Sequence, residues 1–151
     1  MNAELTLPVS QSAEADQADR FGRARAARSS VLAEDYVELI ADLLATEGEA
    51  RTVDIARRQG VSHPTVIKTI GRLKREGLVN GKPYRGLFLT EAGHAMAERV
   101  RARHRVVVAL LIALGVGPED AEADAEGIEH HVSENTLAAF SRFLDRRGRP
   151  D

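Results

Sequence analysis

The sequence predicts a mainly α fold, an N-terminal winged helix-turn-helix domain followed by a C-terminal helical domain. Three observations predict it. Apolar residues recur at helical spacing through most of the chain after residue 28. Two capped helices flank the turn Gln59-Gly60-Val61, and a hairpin-like stretch follows them. The length, 151 residues of which 43% are hydrophobic and 29% charged, suffices for a core in one domain or two small ones.

Residues 1–27 are rich in Ala, Ser, Gln and acids, carry little apolar periodicity and are expected to form a disordered tail. Ser29 or Ser30 then caps a helix whose stripe is Val31, Tyr36, Leu39, Ile40, Leu43 and Leu44, and Gly48 ends it. Thr52 caps a short helix over 53–58. After the turn, where Gly60 supplies a left-handed position, Ser62 caps a helix running to about Glu76, with Pro64 in its first turn and Val66, Ile70 and Leu73 inward. Leu78-Val79, the turn Asn80-Gly81-Lys82-Pro83 and the run 84–89 read as a two-stranded wing. These pieces make a winged-helix domain over 28–90.

Thr90 caps a long helix of roughly 91–114, with Ala95, Met96, Val100, Val107, Leu110, Leu111 and Leu114 apolar, closed by Gly115 and Gly117. Pro118 opens a helix that reaches about His131. Ser133 caps a last one, with Leu137, Phe140, Phe143 and Leu144 as a buried stripe. Residues 91–147 thus form the second, helical domain.

Composition excludes several classes. With no Cys, the chain has no disulfide, thiolate metal site or Cys nucleophile. The longest apolar run, 106–116, is far short of the ~20 residues a transmembrane helix needs and reads as a buried helix segment. The N-terminus lacks a basic region followed by an apolar block, so a cytoplasmic location without membrane contact is expected. A formal net charge of -2 hides an uneven distribution. Residues 51–85 are rich in Arg and Lys, whereas residues 115–145 are rich in Asp and Glu. One part suits a polyanion and the other a cation.

In the basic part, Ser62, His63, Pro64, Thr65, Lys68 and Thr69 lie on the first two turns of the second helix of the motif, the end that enters the major groove in such motifs. Thr65 and Thr69 methyls suit a thymine methyl, and Ser62 and Lys68 can reach phosphate or a base edge. Lys82, Tyr84 and Arg85 on the wing face flanking backbone. Basic groups here release counterions from double-stranded DNA. The competing reading is a winged helix that contacts protein, or a basic face that is merely solvated. His63 is as well explained by simple exposure.

In the acidic part, Glu126, Glu129 and His130 stand at i, i+3 and i+4 and share one helix face. Such a cluster is unfavourable unless a positive group lies between its members, and oxygen with nitrogen donors suits a divalent cation. A solvated acidic face is the bland alternative. Asp35 and Glu38 are a second i, i+3 pair, and His104 lies on the long helix. Hard carboxylates with few imidazoles and no sulfur favour Mn²⁺ or Fe²⁺, leave Co²⁺ and Zn²⁺ open, and four carboxylates are enough for two ions. Spacing alone does not bring these helices together.

Across residues 30–146 the chain resembles the manganese transport regulator branch of the diphtheria toxin repressor (DtxR) family. The resemblance is carried by Glu34-Asp-Tyr-Val-Glu38, Asp54-Ile-Ala, Gly60-Val-Ser-His-Pro-Thr-Val66, Tyr84-Arg-Gly-Leu-Phe-Leu-Thr90, Arg103-His104 and Asp124-Ala-Glu-Gly-Ile-Glu-His-His131. It implies a homodimeric, metal-activated repressor that binds a palindromic operator. It implies a binuclear Mn²⁺ site held by Asp35, Glu38, His104, Glu126, Glu129 and His130, with His131 outside the set. Where the iron-responsive branch has Met and Cys ligands, this chain has Asp35 and Glu126. The N-terminal 27 residues depart from the family pattern.

Two other classes compete. A two-metal enzyme would need paired Glu-x-x-His helices, a phosphate loop or a nucleophile elbow, and the sequence carries one such cluster and neither loop, so no enzyme is expected. A metal-independent winged-helix regulator would bind DNA regardless of chelator.

Overall fold

A computed structural model of the chain describes residues 11–82 and 86–148. The described residues up to Leu32 and those from Ala33 onward form two compact units. The elements are α1 (Gln11–Glu47), α2 (Thr52–Gln59), α3 (His63–Arg75), β1 (Val79–Lys82), β2 (Gly86–Leu89), α4 (Glu91–Ala113), α5 (Pro118–Ile128), a 3-10 turn over Glu129–His131, and α6 (Glu134–Arg147).

The start of α1 corrects one expectation. Residues 11–27, expected to be disordered, are helical, and the helix starts well before Ser29 and Ser30. Ala, Glu, Gln and Arg are good helix formers and dominate this stretch over Ser12, Asp16, Asp19, Phe21 and Gly22. Local propensity therefore suffices without an apolar stripe, and the side chains from Ala13 to Arg20 are exposed.

From Ala33 onward α1 has a buried face. Ala33, Tyr36, Val37, Ile40 and Leu43 join Ile55 of α2, Val66, Ile70 and Leu73 of α3, Val79, Leu87 and Leu89 of the hairpin, and Ala97 of α4 in one core. Helix α2 turns into α3 at Gly60, whose φ of 65° is the left-handed conformation a side chain would resist. Thr52 is the first helical residue of α2 and not its cap; Arg51 holds the cap position without a side-chain hydrogen bond. The Thr52 hydroxyl pairs instead with His63 Nε2 at 2.9 Å, tying the start of α2 to the start of α3.

Strands β1 and β2 are antiparallel, with Val79 opposite Leu89 and Lys82 opposite Gly86. Asn80, Gly81 and Lys82, expected in the turn, continue the strand. Gly86 has φ 75°, and a Cβ there would lie 2.7 Å from the Ala50 carbonyl oxygen. That close approach lets Leu87 N–H donate to the same oxygen at 2.8 Å, so the segment before α2 adds a bridge to the hairpin.

Thr90 caps α4, accepting from Gly93 N–H at 3.1 Å and donating to the Gly77 carbonyl at 2.6 Å. The bond back to Gly77 fastens α4 to the end of the winged helix. Of the expected α4 stripe, Val100 and Val107 are buried, Leu110 and Leu111 are half-buried, and Ala95 and Leu114 are exposed. The 106–116 segment is therefore not a buried one, since Ile112 is also exposed. The same holds for α6: Leu137, Phe140, Phe143 and Leu144 are half-buried, and no residue of this helix is buried within the single chain. Helix α6 packs on α4, and its apolar residues stay partly exposed among the described residues.

Candidate metal centre

Four elements deliver carboxylates and imidazoles to one place within the second unit. The core face of α1 fixes the rotation of that helix, so Glu34, Asp35 and Glu38 project from its other side. Helix α4 brings Arg101, Arg103 and His104 across from them. The end of α5 and the 3-10 turn bring Glu122, Glu126, Glu129 and His130. Expected as one α-helical face, this last group instead straddles a change of helix type. Glu126 lies in α5, while Glu129 and His130 lie in the tighter turn. The result is unequal burial: Glu129 is 1% exposed, whereas the Glu126 side chain is 66% exposed.

Glu129 is the centre of the cluster. Its Oε2 lies 2.5 Å from His104 Nδ1, and its Oε1 lies 3.6 Å from His130 Nε2. Glu126 Oε1 is 3.6 Å from His104 Nδ1, and Asp35 Oδ1 is 3.2 Å from His130 Nε2. Donor atoms of His104, Glu126 and Glu129 all fall within 4.8 Å of one another. Glu38 joins electrostatically, its carboxylate repelled by those of Glu129 and Glu126. The six residues Asp35, Glu38, His104, Glu126, Glu129 and His130 are thus brought together; His131 is exposed and stands outside.

The charges are uneasy in this arrangement. Burial pushes Asp35 above the usual carboxylate range; His130 pulls it down, and Glu126 and Glu34 raise it further. Burial also raises Glu38, with Glu129, Glu126 and Asp42 adding to the effect and Arg101 opposing it. Glu129 is raised by burial against the lowering influence of His104. For His104 burial favours the neutral ring, but hydrogen bonds to Glu122 and Glu129 and the charges of Glu129 and Glu126 win, and its pKa is raised.

A divalent cation fits these residues. Glu129 Oε1 is buried and has no hydrogen-bond partner among the described residues, an expensive condition for a carboxylate oxygen. Oxygens outnumber nitrogens and sulfur is absent, a donor set for a hard or borderline ion.

Two residues of this centre escaped the sequence reading of the site. Glu34 Oε2 accepts a hydrogen bond from His130 Nδ1 at 2.7 Å, and Glu122 Oε2 accepts one from His104 Nε2 at 2.7 Å. A signal existed for each. Glu122 is four residues before Glu126, on one face of α5, and Glu34 is four residues before Glu38. A ligating histidine needs a partner for its second nitrogen, and helical spacing offered one in both cases.

In the helix-turn-helix, Ser62 Oγ accepts from Thr65 N–H at 3.3 Å and pairs with Thr65 Oγ1 at 2.8 Å. Thr69 Oγ1 donates to the Thr65 carbonyl at 3.1 Å. Ser62, His63, Pro64, Thr65 and Lys68 are exposed at the start of α3, and Thr69 is half-buried. Lys82 is exposed on β1, while Tyr84 and Arg85 lie outside the described residues. Ile67, 50% exposed, adds an apolar group to this surface that the sequence reading did not include.

Residues 30–87 match the model of the iron dependent repressor N-terminal DNA binding domain, and residues 90–149 match that of its metal binding and dimerisation domain. The chain belongs to the iron-dependent repressor family. Within that family it is 50% identical over 135 residues to the transcriptional regulator MntR of Escherichia coli O157:H7, covering 89% of this chain and 87% of that protein. It is 39% identical to the HTH-type transcriptional regulator MntR of Listeria monocytogenes serotype 4a (strain HCC23), over 69% of this chain and 73% of that one. Among solved structures, a manganese-dependent transcriptional repressor in complex with manganese is 31% identical with a TM-score of 0.65. That match covers 78% of this chain and 53% of the other, so this chain spans about half its length. No helix among the described residues is long and apolar enough to cross a membrane.

Proposed function

We propose that this chain is a Mn²⁺-responsive, DNA-binding transcriptional repressor of manganese homeostasis genes, acting as a homodimer on a palindromic operator. One observation carries the reading: a helix built into the winged-helix core carries Asp35 and Glu38 beside the cluster of His104, Glu126, Glu129 and His130, which holds a buried carboxylate oxygen with no hydrogen-bond partner among the described residues. The regulators named MntR among its relatives support manganese as the ion.

Asp35, Glu38, His104, Glu126, Glu129 and His130 are the residues that would hold the cation, and four carboxylates provide for two ions per subunit. When bound, the ion supplies the positive charge that the carboxylates of the site require. The chain provides the coupling. Helix α1 belongs to the same core as α3, so the orientation of Asp35 and Glu38 is the orientation of the recognition helix. His104, Glu126, Glu129 and His130 belong to the elements beyond residue 90, within the dimerisation domain of 91–147. In the metal-free state, mutual repulsion of Glu38, Glu126 and Glu129 opposes the closed joint. Closing it fixes the spacing of two recognition helices on the operator. Ser62, His63, Pro64, Thr65, Lys68 and Thr69 face the major groove, with Lys82, Tyr84 and Arg85 on flanking phosphates.

The absence of Cys, and of sulfur at positions 35 and 126, favours Mn²⁺ over an iron-responsive reading. The test is fluorescence anisotropy with palindromic DNA from upstream of candidate target genes, at one fixed salt, with EDTA, Mn²⁺, anaerobic Fe²⁺, Co²⁺ and Zn²⁺ in turn. Tight binding is expected with Mn²⁺ and lost with EDTA and in Glu126→Ala. Binding indifferent to chelator overturns the sensor and leaves a plain winged-helix regulator.

A further inference from the structure

The hydrogen bond between His130 and Glu34 belongs to a longer chain of contacts. His130 Nδ1 is 2.7 Å from Glu34 Oε2. The other oxygen of Glu34 accepts from Arg103 Nη1 at 3.3 Å, and Arg103 Nη2 donates to Glu134 Oε1 at 2.9 Å. Four elements are joined in series: the 3-10 turn, α1, α4 and the first turn of α6. The inner members are shielded, the side chains of His130, Glu34 and Arg103 being 6%, 13% and 19% exposed, while that of Glu134 is 76% exposed.

Glu34 therefore does not behave as one more carboxylate of the cation site. One oxygen is held by an arginine, and the other faces the ring nitrogen turned away from Asp35 and Glu129. An imidazole ligates through an unprotonated nitrogen, so a neutral ring must carry its proton on the opposite one. A carboxylate fixed on Nδ1 selects that tautomer, aims the ring and strengthens Nε2 as a donor. We propose that Glu34, anchored by Arg103, is the positioning residue of the metal centre: it holds the His130 proton on Nδ1 and keeps Nε2 open toward Asp35 and Glu129. This rests on the metal-sensing reading above and adds to it a residue that does not itself ligate.

Two conservative substitutions separate reach from charge. E34Q keeps the length and one amide oxygen able to accept from Nδ1–H, its NH2 group then turning toward Arg103, which keeps Glu134 as its acceptor. E34D keeps the charge but withdraws the carboxylate by one bond, about 1.5 Å, beyond hydrogen-bond range. The first readout is the ¹⁵N shifts of the His130 ring in metal-free protein, which report the tautomer. The second is Mn²⁺ affinity, from the electron paramagnetic resonance of free Mn²⁺ during titration. E34Q is expected to keep the Nδ1–H tautomer and to bind within about threefold of the parent, and E34D to mix tautomers and lose about 10–100-fold. Parental tautomer and affinity in E34D overturn the proposal. So does E34Q binding as weakly as E34D, since the effect would then not follow reach. If the parent chain itself binds no Mn²⁺, the sensor reading fails, while the metal-free tautomer comparison still decides whether Glu34 positions His130.

Discussion

His104 Nδ1 and Glu129 Oε2 stand 2.5 Å apart, while the other oxygen of that buried carboxylate has no hydrogen-bond partner among the described residues. The pair spends its hydrogen bond on one side and leaves the opposite side an electrostatic liability. Neutralising the carboxylate without changing its shape relieves that liability. Glu129→Gln is expected to leave the metal-free protein at least as stable as the parent, with Tm higher by roughly 2–4 °C, the equivalent of about 1 kcal/mol for a chain of this size. It is also expected to abolish the rise in Tm on adding Mn²⁺. Differential scanning calorimetry with and without the ion reads both; a Tm well below the parent's would show that the charge of Glu129 stabilises the fold.

The pH dependence has a definite sign. Asp35, Glu38 and Glu129 hold protons more tightly folded than unfolded, chiefly through burial, so their ionisation costs stability. That cost is absent below the ordinary carboxylate range and is complete once pH passes their raised values. His104 acts in the same direction: its charge stabilises the fold below about 6.5, and this contribution is lost as pH rises through its raised value. The metal-free protein is therefore expected to lose Tm as pH rises from the ordinary carboxylate range, about 4, past the ordinary imidazole value of about 6.5, apart from other groups. Mn²⁺ displaces these protons, so its affinity is expected to climb over the same interval. Calorimetry paired with Mn²⁺ titrations checks the opposed trends, and affinity flat with pH would remove these groups from the site.

The order of elements and the helix-turn-helix were legible because caps and periodicity are local. Ser62, Thr90 and Ser133 each accept from the backbone N–H three residues on, as their sequence context implied. What was not legible depended on partners distant in sequence or on weak propensities. Thr52 has the sequence context of a cap, and nothing local shows that His63 takes its hydroxyl. Residues 11–27 lack the apolar stripe that marks a packed helix, although they are rich in helix formers. At the site, the spacing of Glu126, Glu129 and His130 could be read, but the burial of Glu129 beside an exposed Glu126 could not, since it follows from the tightened turn and the packing of α4. Glu34 lies 96 residues from His130, and only the fold joins them.

Gly93 marks the contact that fastens α4 to the winged helix. A Cβ there would lie 2.1 Å from the Leu78 carbonyl oxygen, closer than atoms approach, and that oxygen also accepts from Thr90 N–H at 3.1 Å. Gly93→Ala is expected to move α4 off this contact and to destabilise by more than about 2 kcal/mol, as overpacking of backbone does. Gly127, in α5, has open space where its Cβ would be. Gly127→Ala is expected to stabilise by about 0.4–1 kcal/mol. Urea unfolding of the two variants gives opposite signs, and equal signs would mean that helix propensity alone governs both positions.

Lys68 is exposed in the second turn of α3. In the DNA-binding reading it neutralises one phosphate or reaches one base edge. A phosphate contact predicts that Lys68→Ala lowers the slope of log affinity against log salt by about 0.9 for any duplex. A base contact predicts instead a loss of about 1–3 kcal/mol confined to one operator position. Anisotropy over a salt series with operator and point-changed duplexes separates the two, and a variant unchanged on both counts takes Lys68 off the interface.

Ile112 and Leu114 are exposed at the end of α4, and Phe140, Phe143 and Leu144 of α6 are only half-buried within one chain. A helix whose apolar stripe has no buried residue gains little from packing inside its own chain. In the proposed homodimer, a second subunit covering this surface would supply the missing burial, each fully buried Phe or Leu contributing about 1.5–3 kcal/mol relative to exposure. A charge in the middle of the stripe has the opposite effect. Phe140→Glu is expected to shift the mass measured by light scattering from twice the 16.4 kDa of the chain to that value, with helix content retained. Operator affinity is expected to fall with it, because a single recognition helix spans one half-site. A variant that stays dimeric would place the subunit contact elsewhere than α6, and the apolar ends of α4 and α6 would then need a different occupant.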